Sequence, residues 1–167
     1  MDRAAIAFLI VTTATYAAVA VQDLRQRTVS NVLCVGIALL GVARWAVLFQ
    51  LAPAAWALTV AITLFAIGIG LFALGWLGGG DVKLISATAL LIGGPIDTLR
   101  FLFLMSLIGS ALALVLLIDM KFGRFYRVVG PTLADRTTPS SDHAKVPYAV
   151  AVAIAASIVL FLQYQHA

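Results

Sequence analysis

Residues 54–77 read AAWALTVAITLFAIGIGLFALGWL, and residues 78–84 continue as GGGDVKL. The first stretch is uncharged over a length that suits the hydrocarbon core of a bilayer, about 30 Å or roughly 20 helical residues. Backbone polar groups find no partners in lipid, so only helices and closed barrels span it, and this run is too long for a barrel strand. It predicts a membrane helix. Working outward, similar apolar runs at about 4–22, 29–49, 82–94, 99–119 and 146–164 predict five more. The expected fold is an all-α integral membrane protein, a bundle of about six transmembrane helices in a single domain over residues 1–167.

Composition agrees with lipid as the solvent. Apolar residues make up 63% of the chain and charged residues 11%, and the mean hydropathy is +1.08, so a water-facing surface lacks polar side chains to cover it. The first apolar run lacks a clean small-x-small cleavage site and reads as a span rather than a secretory signal. Cys34, the single cysteine, excludes an internal disulfide or a multi-cysteine zinc site and reads as packing. Nucleotide-binding GxxxxGK[ST], zinc HExxH and Ser-x-x-Lys patterns are absent.

Basic residues set the expected orientation, because short loops rich in Lys and Arg stay in the cytoplasm. Of 11 bases, Arg25, Arg27, Lys83, Lys121, Arg124, Arg127, Arg136 and Lys145 fall on one side. Arg3 and Arg100 fall on the other, which puts both termini outside and the polar segment at about 120–146 in the cytoplasm. The net charge of +4 is therefore a topology signal, and no nucleic-acid partner is expected. Arg44 lies inside the second span, near enough to its far end to snorkel toward that interface, a structural role.

The acidic residues are all aspartates, and two stand out by position. Asp23 follows the first span, and Asp81 follows Gly78, Gly79 and Gly80; the charge argument puts both on the cytoplasmic side. Asp81 is expected to cap the fourth helix at its positive end. The glycines allow a close backbone approach by a substrate segment. Two carboxylates sharing a water cannot both ionise easily, so one acts as base while the other holds a proton. Taken singly, an aspartate at a helix end is usually a cap or an interfacial charge, and three glycines are ordinary loop chemistry.

The words around the two aspartates carry more. Gly78-Gly79-Gly80-Asp81-Val82-Lys83-Leu84 resembles the GxGD motif of the type IV prepilin peptidases. Asp23-Leu24-Arg25-Gln26-Arg27-Thr28-Val29-Ser30-Asn31 resembles their first-aspartate motif, and Lys145-Val146-Pro147-Tyr148-Ala149-Val150-Ala151 is similar to the start of the last span in the short members that serve Flp/Tad-type pili. The resemblance implies a membrane aspartic endopeptidase of the bacterial inner membrane. It implies Asp23 and Asp81 as catalytic residues at the cytoplasmic face and Gly78, Gly79 and Gly80 as a substrate-approach loop; Lys83 and Arg27 are candidates for electrostatic support, and lipid phosphate is the favoured partner of Lys83. The implied partners are a prepilin, cut between its basic leader and its hydrophobic helix, and membrane lipid; no cofactor or metal is implied. Ser30 stands where the family usually has proline, which is expected to loosen the loop after Asp23. The cysteine-bearing N-terminal extension of the bifunctional members is not seen, so methyl transfer is not expected.

Three other readings stay open on the residues alone: a small transporter or channel subunit with functional aspartates, a structural membrane subunit, and an archaeal-type preflagellin peptidase. Ion-path carboxylates usually lie in mid-span, whereas these two lie at span ends. Asp97, Asp119, Trp45, Trp56 and Trp76 read as interfacial residues. His143 and His166 lack partners at metal-ligand spacing.

Overall fold

The computed structural model describes residues 3–26, 28–48, 51–122 and 148–165. Among them are six helices and no strand: α1 (Arg3–Gln26), α2 (Asn31–Leu48), α3 (Leu51–Ala73), α4 (Gly79–Ile92), α5 (Pro95–Phe122) and α6 (Tyr148–Gln165). This is the expected all-α membrane fold. Four of the helices, α1, α3, α5 and α6, are long and apolar enough to cross a membrane. Arg27, the histidines at 143 and 166, most of the polar segment and Lys145 to Pro147 lie outside the described residues.

Local chemistry explains where the helices end. α3 stops at Ala73, earlier than the apolar run suggests, because Gly75 takes φ 75°. The Gly75 and Trp76 N–H groups then donate back to the Phe72 and Leu71 carbonyls at 2.9 and 3.0 Å. That pair of bonds is a Schellman closure, for which a glycine at the left-handed position is the usual residue. α5 starts at Pro95, whose fixed φ suits a first helical turn and whose missing N–H has no partner there to lose.

The surface is rich in large apolar side chains, unlike that of a water-soluble domain, and the mainly apolar interior also holds a few polar side chains. Val32, Leu51 and Trp76 are exposed, while Thr12, Asp23, Thr88 and Thr98 are buried. α4 sits at the centre, packed against α2, α3 and α6, and α6 packs in turn against α1 and α5. Alanines at 149, 153 and 156 on the buried side of α6 let neighbouring backbones come close. α4 has only 14 residues, about 21 Å of rise. It is shorter than a bilayer core, and protein rather than lipid surrounds it.

The far end of α4 shows how a short buried helix satisfies its backbone. The last four carbonyls of a helix have no partner within it. Here Gly93 N–H donates to Ala89 O at 2.9 Å, Trp45 Nε1 to Leu90 O at 2.8 Å, and Arg44 Nη1 to Leu91 O at 2.8 Å. Gln163 Nε2 donates to Ile92 O at 3.1 Å and to Asp97 Oδ2 at 2.7 Å. Asp97 also pairs with Arg100 at 2.9 Å. Arg44 therefore turns inward to cap α4, and Trp45 and Asp97 belong to the same cap. Gly93 has φ 73°, and a Cβ there would meet the Trp45 ring.

Candidate active site

Asp23 lies on the last turn of α1 and is 7% exposed. Its Oδ2 accepts the N–H of Ala149 at 2.9 Å. Ala149 is the second residue of α6, so Asp23 satisfies one of that helix's unpaired donors and faces its positive end. The chain leaving α1 is held in place as well: Ser30 Oγ accepts the Val32 N–H at 3.2 Å and caps α2. The Ser30 N–H donates to Gln22 Oε1 at 3.3 Å. A proline at this position has no such N–H, so serine ties the segment instead of loosening it.

Asp81 comes from the other side. The N-cap of α4 is Gly78, with extended φ −74° and ψ 141°, so Asp81 is the third helical residue rather than the cap itself. From there its carboxylate reaches back to a backbone hydrogen bond at Gly78, the geometry of an acid closing a capping box. Burial pushes Asp81 up from its ordinary 3.8 to about 6, the charge of Asp23 pushes the same way, and the Gly78 hydrogen bond opposes both. Two carboxylates far apart in sequence thus come within electrostatic range of each other, Asp81 in the first turn of α4 and Asp23 against the N-terminus of α6. Neither lies in mid-span, where ion-path carboxylates usually sit.

The three glycines have separate surroundings. A Cβ on Gly78 would stand 2.9 Å from Asp81 Oδ2, one on Gly79 would meet the Phe72 ring at 3.3 Å, and one on Gly80 would stand 3.4 Å from Val29 Cβ. None of the three has positive φ; what they provide is space, around the carboxylate at Gly78 and around the segment after α1 at Gly80. Lys83 extends from the opposite side of α4 and donates from Nζ to Asn31 Oδ1 at 2.9 Å. A groove of about 420 Å³ lined by Asn31, Cys34, Ala61, Lys83, Ser86 and Ala87 lies on that same side.

Reading the sequence for motifs missed the backbone donor at Ala149 and the Gln22–Ser30 tie. Ala149 lies within a quoted motif, but nothing in that motif says its N–H meets Asp23. Tyr148, beside it, is within electrostatic range of Asp81, and its ring rests 3.3 Å from where a Cβ on Gly109 would stand. No group of three or more His, Cys, Asp or Glu placed to hold a metal occurs among the described residues.

Comparison with curated proteins and with solved structures found no match. Comparison with protein families matches residues 9–118 to the type IV leader peptidase family. The matched stretch holds Asp23, the glycine turn and Asp81, and covers well over half of the sequence; α6 lies beyond it. The chain therefore belongs to the type IV leader peptidase family, a family of proteases.

Proposed function

We propose that this protein is an aspartic endopeptidase of a bacterial inner membrane, acting as one transmembrane peptidase domain over residues 1–167. It removes the short basic leader of prepilin-like substrates at the cytoplasmic face, and Asp23 and Asp81 are its catalytic residues. The motifs resemble those of the short members that serve Flp/Tad-type pili. The observation that carries this reading is that the family match spans both aspartates, with Asp23 held by the Ala149 N–H and within electrostatic range of Asp81 in the first turn of α4.

The two environments suggest separate roles. Asp23 takes the Ala149 N–H, a bond that suits a carboxylate; Asp81, the raised member, suits the proton. Asp23 accepts a proton from water as the water oxygen attacks the scissile carbonyl carbon, and Asp81 donates its proton to the carbonyl oxygen. On collapse, a hydroxyl of the gem-diol returns a proton to Asp81, and Asp23 passes its own to the leaving nitrogen. The C–N bond is broken, one water is consumed, and the pair returns to its starting state.

The test is co-expression with a prepilin, following leader removal by gel mobility. Asp23→Asn and Asp81→Asn should each reduce processing by roughly 10³-fold or more, and the double variant by little beyond that, as for residues acting as a unit. Near-normal cleavage by either single variant at equal membrane abundance removes the pair from the mechanism. If wild-type protein leaves prepilins intact but cuts an archaeal preflagellin, the substrate assignment changes and the chemistry stands.

A further inference from the structure

The geometry points to Tyr16 and Thr88 as a positioning pair that sets the register of the two helices carrying Asp23 and Asp81. The inference rests on the reading of those aspartates as the catalytic pair. Tyr16 Oη donates to Thr88 Oγ1 at 3.0 Å, and the two residues are 1% and 0% exposed.

Sequence spacing gives the bond its meaning. Tyr16 precedes Asp23 by seven residues (23 − 16), and Thr88 follows Asp81 by seven (88 − 81). Seven residues is two helical turns to within about 20° of rotation and about 10.5 Å of rise. α1 and α4 run in opposite directions, with their aspartates at the same end of the bundle. The bond therefore lies on the faces that bear the carboxylates, about 10.5 Å beneath them on both helices.

α1 and α4 have little direct packing to set this register, since α1 lies mainly on α6 and α2, and α4 on α2, α3 and α6. When both aspartates are charged they repel each other, which favours separation of the two helix ends. A polar tie between the same two helices opposes that separation.

Donor accounting makes the pair directional. Thr88 Oγ1 donates its one proton to Leu84 O at 2.8 Å, so toward Tyr16 it can only accept. Tyr16→Phe therefore removes the tie and leaves no buried donor unpaired. Thr88→Val, by contrast, leaves the Tyr16 hydroxyl buried without this partner. Thr88→Ser keeps the acceptor.

The test uses the full-length protein in proteoliposomes, with the prepilin whose cleavage the Asp23→Asn comparison has established, and activities are normalised to folded protein. Tyr16→Phe and Thr88→Val should each lower kcat by about tenfold or more with KM changed by less than about twofold, the pattern of misplaced catalytic groups with intact substrate binding. Thr88→Ser should restore kcat. The double variant should lose no more than the worse single, because both substitutions break one bond. Wild-type kcat in Tyr16→Phe, or a double loss equal to the product of the two singles, overturns the inference. Loss of protein abundance with unchanged kcat per folded molecule also overturns it, because the bond is then only structural. Those results, alongside an inactive Asp23→Asn, leave the catalytic reading standing; cleavage by Asp23→Asn removes that reading and this inference together.

Discussion

Asp81→Asn should abolish cleavage and make the protein more stable at neutral pH. In the folded state the carboxyl is raised from 3.8 to about 6 by burial and by Asp23. Between those values the folded state binds more protons than the unfolded one, so stability falls as pH rises through that window. At about 1.36 kcal/mol per pKa unit, the full penalty on the ionised form is about 3 kcal/mol. It is fully developed near pH 7.5 and falls to about 1 kcal/mol near pH 4.5, where the folded carboxyl is mostly protonated. Asp81 is only partly buried, and solvent screening reduces the realised effect to about 1–3 kcal/mol. Asparagine keeps an oxygen for the Gly78 hydrogen bond and carries no charge. For a chain of this size, about 2–4 °C per kcal/mol converts the gain to an apparent Tm rise of roughly 2–12 °C near pH 7.5, shrinking toward pH 4.5. Thermal unfolding of wild type and variant in one detergent at both pH values measures it. A lower Tm for the variant near pH 7.5, or an equal gain at both pH values, refutes the claim that Asp81 is held charged at a cost.

Further outcomes follow from the same geometry. With Asp81 as proton donor, kcat/KM should fall about tenfold per pH unit above about pH 6, the range set by the raised carboxyl of the free enzyme; a profile flat from pH 5 to 8 contradicts that role. Gly78→Ala places a methyl 2.9 Å from Asp81 Oδ2 and should cost roughly 10–100-fold in cleavage, whereas Gly80→Ala, in ordinary contact with Val29, should cost far less. Arg44→Leu leaves the Leu91 carbonyl without its charged donor and should destabilise by about 1–3 kcal/mol, read as a lower Tm. On a Cys34→Ala background, Arg25→Cys should resist a membrane-impermeant thiol reagent applied to intact cells and Arg100→Cys should react; the reverse pattern inverts the proposed orientation.

The membrane class, the six helices among the described residues and the placing of Asp23 and Asp81 near helix ends follow from local sequence. Uncharged runs as long as a bilayer is thick leave the backbone few alternatives, and Asp23 and Asp81 each lie where such a run meets basic or glycine-rich neighbours. Helix ends are less legible. The apolar run at 54–77 continues past Ala73, and only the backbone bonds around Gly75 end the helix there. Arg44 shows the same limit, since its position in the second span suits either an interface or a buried acceptor, and the unpaired carbonyls of α4 decide in favour of the second. Partnership across the bundle is what tertiary structure alone supplies. The Ala149 N–H on Asp23, the Tyr16–Thr88 bond and the rise of Asp81 through burial and the charge of Asp23 each join residues from distant parts of the chain. Hydropathy and motifs report what a residue is and what stands next to it along the chain. A carboxylate's charge state depends on what stands next to it in space, and here the packing of α1, α4 and α6 sets those neighbours.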